Sequence, residues 1–445
     1  MGIVEELKRK CGDIDVGMGV DIETLAQSLV GRGALTQRLQ QIVSKLREPT
    51  DTQRDSLDAL SDAKGNLNVR PAPIDLTNIV MKHPDTNVVL QHFSGRFFGK
   101  EIDFSGSVFF QISSFSNAVF EGDVQFQDCI FLDSAWFDGV EFKGSVSFSG
   151  CIFNRGAKFN KAVFGKDLEF SECVFLDYVT FFKTRFLGGV DARSVWYHGD
   201  VDFTGAIFKE AALLEGNTFS KSANFEGAHF EGAVLLRGVT CNHLPNFASC
   251  IFKQVPAPEH LEQIQHRLGD EDLDKVDDNQ THIIRSDKES PDKLRYLRQI
   301  CADANDHERE AFYFAYEMKA HRHHRVDSKA LRAFYMAYEA VSDYGWSIKK
   351  PAIGLFLTGL VSWLYIAAFG LSESCQKVVG FGDVLPFVIG NMVPFLGASY
   401  YARGSHGCSS DLLNEFGHAM NFGGSILAVI FIFLIGLALR NRFRL

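Results

Sequence analysis

Apolar residues between 93 and 252 recur at a spacing that fits neither a helix nor a simple alternating strand. Phe93, Phe98, Phe104, Phe109, Phe115, Phe120, Phe126, Phe131, Phe137, Phe142, Phe148, Phe153, Phe159, Phe164, Phe170, Phe175, Phe181 and Phe186 are separated by steps that alternate five and six. Continued, the rule lands on Ala192, Tyr197, Phe203, Phe208, Leu214, Phe219, Phe225, Phe230, Leu236, Cys241, Phe247 and Phe252, so 25 of 30 positions are Phe and the register never slips. Two residues before each ladder position the side chain is usually small or β-branched, as at Val124, Ala135, Val146, Ala157, Ala118, Cys129, Val140 and Cys151. Polar residues and Gly fill the gaps: Glu121-Gly122, Lys143-Gly144, Ser149-Gly150, Glu226-Gly227. The pattern predicts one short strand and one corner per unit, with residues i and i−2 pointing inward. Gly eases the corners by allowing unusual dihedrals. Each unit leaves a half-finished core that the next coil completes.

These residues resemble the pentapeptide-repeat family over roughly residues 71–252. The resemblance implies a right-handed quadrilateral parallel β-helix, here assigned to 71–256. The extra residue in every second unit gives about 22 residues per coil. Cys129, Cys151 and Cys173 are spaced to match and would form one column. They are expected to be small inward-facing filler rather than a metal or redox ladder. About seven coils follow, roughly 35 Å of rod at about 4.8 Å per coil. The Phe core is the main expected source of stability, since burying one such side chain is worth about 1.5–3 kcal/mol.

The flanks read differently. Open coil ends need covering, and residues 1–70 are a helical region or cap with Leu25, Leu29, Leu35, Leu39, Ile42, Val43 and Leu46 as a rough apolar stripe. A partner-binding hairpin is the other reading of this segment. Residues 257–290 form an acidic linker. Residues 291–347 are a cytoplasmic helical connector, with Pro291 at a helix start and Asp306 before a second helix. Phe312, Phe314, Ala315 and Met318 are expected on or near one face of that helix. His321, His323 and His324 invite a metal or pH-sensing reading. The plainer one is a basic juxtamembrane helix, with Lys319, Arg322, Arg325, Lys329 and Arg332 facing anionic headgroups.

Residues 348–445 carry two uncharged stretches, 352–370 and 419–439, each long enough to cross a membrane. Lys349 and Lys350 precede the first, and Arg440, Arg442 and Arg444 follow the second. The intervening segment has only Lys377 and Arg403 as basic residues, so both termini are expected in the cytoplasm. Cys375 and Cys408, placed outside, could then pair as a disulfide. The apolar run 384–398 is short for a span and reads as re-entrant or interfacial. Val379-Gly380-Phe381-Gly382-Asp383 is similar to a potassium-channel filter. Its spacing from the two spans argues against that role. EAVSDYGWSIKKP (339–351), VPFLG (393–397) and GLALRNRFRL (436–445) resemble the C-terminal two-span module of a bacterial membrane-anchored subgroup of pentapeptide-repeat proteins. That resemblance implies the bacterial inner membrane.

Composition narrows the function classes. The net charge of -10 disfavours nucleic-acid binding through phosphates. The opening MGIVEELKRKCGD has no apolar core of a signal peptide. The nine Cys show no metal spacing, and no Walker, nucleophile-elbow or dinucleotide motif is present. No enzyme activity, metal or cofactor is therefore expected. The expected partners are the lipid bilayer and an unidentified protein. The leading expectation is a membrane-anchored scaffold for protein–protein interaction. An alternative is an oligomeric gated channel of several copies with the rod as sensor. A third reading, implied by the family resemblance, is a DNA mimic binding a topoisomerase. Residues 93–252 carry 19 acidic against 13 basic side chains, a weak charge for such mimicry.

Overall fold

The structure, a computed structural model, describes residues 33–47, 49–55, 74–78, 80–81, 93–257, 287–371, 380, 384–392 and 413–442. The chain divides into two units, Met1–Ala304 and Asn305–Leu445. That division falls inside the stretch expected as one helical connector.

The first unit is a right-handed parallel β-solenoid of about seven turns. Its strands are two residues long and stack into four parallel sheets of eight, six, eight and eight strands. Each strand pairs with the one 22 residues on, as in Val124↔Val146 and Val146↔Leu168. The first coil is longer: Ile74 pairs with Ile102 and Val80 with Val108, an offset of 28. Hydrogen bonds run from coil to coil, for example Phe126 N–H to the Ser147 carbonyl at 2.7 Å.

The fourteen ladder Phe residues from Phe104 to Phe175 are all buried. Within a column the rings stack: Phe104–Phe126 at 4.9 Å and Phe126–Phe148 at 4.8 Å, with interplanar angles of 10° and 0°. Between columns they meet edge to face, as Phe126 and Phe137 do at 5.8 Å and 84°. Both arrangements suit the aromatic quadrupole. Tyr197 continues one stack between Phe175 and Phe219, and burial pushes its phenol well above the ordinary range. The Phe104 column gives way to Ala192, Leu214 and Leu236, all buried.

The corners are of two kinds. At one kind the chain makes a hydrogen-bonded turn with a left-handed third residue, as where Cys129 N–H donates to the Phe126 carbonyl across Asp128 (φ 56°). These left-handed residues fall at every eleventh position from Gly95 to Ser249 and include Asn117, Lys161, Glu172 and Lys183 as well as Gly139, Gly150 and Gly227. The other kind has no left-handed residue. Gly122 and Gly144 sit there, where a Cβ would meet the backbone of the coil before.

Helix α1 (Gly33–Lys45) lies along a side of the solenoid rather than over its end. Leu39, Ile42, Val43 and Leu46 pack on Val108, Phe110, Ile130, Leu132, Ile152 and Val174, which belong to successive coils. The covering of the edge falls to the residues that follow. The Gln53 side-chain amide donates to the Thr77 carbonyl at 3.1 Å, and Arg47 N–H donates to the Asn78 carbonyl at 3.0 Å. In later coils the carbonyl at the Thr77 position takes a backbone N–H from the coil before, as Ser105 does from Asn78. Residues 1–32 and 56–73 lie outside the described residues, as does 258–286 of the expected linker. Helix α2 (Ser290–Asp303), with Pro291 in its first turn and Leu294, Leu297 and Cys301 buried, completes the first unit.

The second unit contains α3 (His307–His324), α4 (Lys329–Ser342), α5 (Lys349–Tyr365, continued by a π-helical turn Ile366–Gly370), α6 (Val384–Met392) and α7 (Glu415–Arg442). Asp306 caps α3 by accepting from Arg309 N–H at 3.0 Å. Ser328 caps α4. The buried residues of α3 are Phe312, Tyr313, Ala315, Tyr316, Glu317 and Ala320. Phe314 and Met318, expected on that side, are only half-buried. Tyr313 and Tyr316 take the place assigned to them, because a Tyr can bury its ring in a polar bundle.

Candidate functional surfaces and the apolar helix pair

The solenoid repeats its side chains every 22 residues, so its surface consists of columns. Lys209, Glu231 and Lys253 form one ionic column, with Lys253 Nζ 2.5 Å from a Glu231 oxygen. Lys143 donates to Glu121 at 2.6 Å in the same way. Lys209 and then Lys253 hold the Glu231 carboxyl down at about 2. The Asp residues at corners do more than solvate the rod. Asp123 accepts from Ser145 N–H at 2.8 Å, Asp167 from Gly189 at 2.9 Å and Asp200 from Ser222 at 3.1 Å, each one coil onward. The sequence shows the carboxylates but not that the repeat aims them at backbone donors.

The Cys column is buried as expected of filler, and its thiols also donate. Cys129, Cys151 and Cys173 reach the carbonyls of Phe104, Phe126 and Phe148 at 3.0, 2.8 and 2.9 Å. Cys250 and Thr184 repeat the contact on the opposite side. Burial pushes the Cys151 thiol well up, so that sulfur is a poor nucleophile.

In the second unit the basic helix surface is not as expected. Lys319 and Arg322 turn toward Glu339 on α4, Lys319 at 3.6 Å, and are largely buried, because a carboxylate faces them across the helix pair. Arg332 donates to the Val326 carbonyl. The three His are not brought together as a ligand set: His321 stacks on Tyr335 at 6.0 Å, while His323 and His324 pack edge to face. A cavity of about 290 Å³ is lined by Glu308, Ala311, Trp346, Ile348, Lys349 and Ala438.

Helices α5 and α7 pair closely through small residues. A Cβ on Gly354 would meet the Phe431 ring, one on Gly424 the Ser362 hydroxyl, and one on Gly417 the Gly370 carbonyl. Such small residues let the two helix backbones approach closely. Asn414 locks the top: its side-chain amide donates to the Phe369 carbonyl at 2.7 Å, and its carbonyl oxygen accepts from Gly417 N–H at 2.7 Å. Away from this seam the helices expose Ile353, Phe356, Val361, Phe422, Ile430 and Phe433. Both are long and apolar enough to cross a membrane. Lys349 and Lys350 are exposed at the start of α5, where Lys350 pairs with Asp343 at 2.6 Å. Arg440 is exposed near the end of α7. The side chain of Arg442 and all of Arg444 lie outside the described residues. So do Cys375, Cys408 and Phe381-Gly382-Asp383 of the filter-like string, of which only Gly380 is described.

Residues 126–174 match the family model described as pentapeptide repeats (9 copies). No curated protein and no solved structure matches the chain.

Proposed function

We propose, from the premise that this chain is a pentapeptide-repeat protein, that it is a membrane-anchored scaffold whose solenoid offers a stiff surface for a protein partner. The observation that carries the anchor is exposure. A soluble core helix is mostly buried, yet only 11% of the apolar window in Lys349–Gly370 and 22% of that in Glu415–Arg440 is buried. Leaving that much apolar surface in water is unfavourable, at about 25 cal/mol per Å². A bilayer is the partner that covers it on all sides. The basic residues Lys349, Lys350 and Arg440 at one end of the pair favour both termini on the cytoplasmic side of a bacterial inner membrane. The solenoid supports the scaffold half of the reading, because a coil-by-coil hydrogen-bonded rod with a packed aromatic core presents fixed columns of side chains.

Alkaline carbonate washing of membranes from cells making the full chain tests the anchor. The protein is expected to stay in the pellet and to leave it only with detergent. Recovery in the carbonate supernatant would overturn the reading. Reporter fusions at each end test the orientation, both being expected to report cytoplasm.

A further inference from the structure

We propose that α6 is a half-membrane helix, which enters the bilayer at the side where α5 ends and stops near the bilayer centre. This rests on the membrane reading above. Leu371 bridges Leu413 in antiparallel fashion, and Asn414 N–H donates to the Gly370 carbonyl at 2.9 Å. The chain therefore leaves α5 and rejoins α7 at one level. Helix α6 belongs to that excursion, yet its last residue reaches far back along α5. A Cβ on Gly359 would lie 2.9 Å from Met392 Sδ. Gly359 precedes Gly370 by eleven residues, about 16 Å of helix. The hydrocarbon core is about 30 Å thick, so Met392 sits about half-way through it.

Two further features agree. The nine residues of α6 span about 13.5 Å, which returns Val384 close to the level of Gly370. Val384, Val388 and Met392, one turn apart, share a core with Ile366, Leu371, Leu413 and Ala428. On the other side Leu385 and Ile389 are exposed. A helix lying on the membrane surface would turn a polar side to the headgroups. VLPFVIGNM has no charge and a single polar residue, Asn391.

Spin-label accessibility in the full chain, reconstituted in vesicles of zwitterionic lipid, tests this. In a background where Cys375 and Cys408 are replaced by Ser, single Cys residues are introduced at Val361, Leu385 and Ile389, and each spectrum is referred to the parent. Ile389→Cys is expected to favour collision with oxygen over a water-soluble nickel chelate to the same degree as Val361→Cys. Leu385→Cys should read about 6 Å shallower, four residues of rise. If Val361 is deep while Ile389 is in water or no deeper than Leu385, the half-membrane helix is wrong and the anchor stands. If Val361 itself meets the nickel chelate, the anchor fails and takes this proposal with it.

Discussion

Glycine has two separate duties at the corners, one set by dihedral angle and one by space. Gly150 holds φ 78°, a region costly for a residue with a Cβ. Lys161 occupies the equivalent left-handed position at φ 57°. Lys161→Gly is expected to stabilise the solenoid by about 0.5–1 kcal/mol, and Gly150→Ala to cost about 1–2 kcal/mol. Gly144 has ordinary dihedrals, but its Cβ would press on Gly122 of the preceding coil. Gly144→Ala should therefore cost about 1–3 kcal/mol through overpacking. Thermal unfolding of the full chain in detergent, followed by circular dichroism, ranks the three. Equal effects of Gly144→Ala and Gly150→Ala would not separate the two duties, but a stable Gly144→Ala protein would show that the coils give way. The sequence made both glycines visible as corner residues and assigned them one cause. It could not separate them, because the left-handed sites recur every eleven residues with Asn, Asp, Lys, Glu and Ser among their occupants. The Phe ladder was legible because only one residue type fills it so regularly.

Columns of side chains are the natural elements of the solenoid, and the ionic one has a pH signature. The folded-state value of Glu231, about 2, lies below its ordinary 4.5. A carboxylate held down in this way contributes stability that is complete above about 4.5 and is lost as pH falls toward 2. The pair is exposed, so salt should screen it. Comparing the unfolding midpoint of the chain with that of Glu231→Gln across this range should give a difference that shrinks with acid and with added salt. A difference independent of pH would mean the column is only packing. Helix α1 is the other element with a clear consequence. Its stripe Leu39, Ile42, Val43 and Leu46 was readable in the sequence, but its destination was not, because the receiving side chains Ile130, Leu132, Ile152 and Val174 alternate outward between core positions. Ile42→Asp places a charge in that seam and should release α1, seen as faster hydrogen exchange in Gly33–Lys45 while the Phe core stays protected. Loss of protection throughout the solenoid would instead make α1 part of its stability.

At the scale of the molecule, the aromatic ladder and the uncharged stretches told where the solenoid and the membrane-length helices lie, since both depend on composition repeated over many residues. What joins their parts was hidden, because contacts such as Gly424 with Ser362, or Asn414 with Phe369, depend on single residues far apart in sequence. The solenoid has a further property that follows from its register alone. Every column repeats at 22, so Lys221 stands one coil beyond Gly199, and the pairs Val179↔Val201 and Val201↔Ala223 show the same offset. Deleting residues 199–220 joins His198 to Lys221 and should leave each remaining side chain in its own column, shortening the rod by about 4.8 Å. Deleting only 199–203 shifts the two corner kinds against each other, puts polar residues into the aromatic columns and opens the hydrogen-bond ladder. Stability in a stack of this kind is close to a sum over neighbouring coils. The 22-residue deletion should therefore unfold cooperatively a little below the parent, and the five-residue deletion should lose its transition or aggregate. If both deletions behave alike, the coils are not interchangeable neighbours, and long-range packing must be holding the solenoid together.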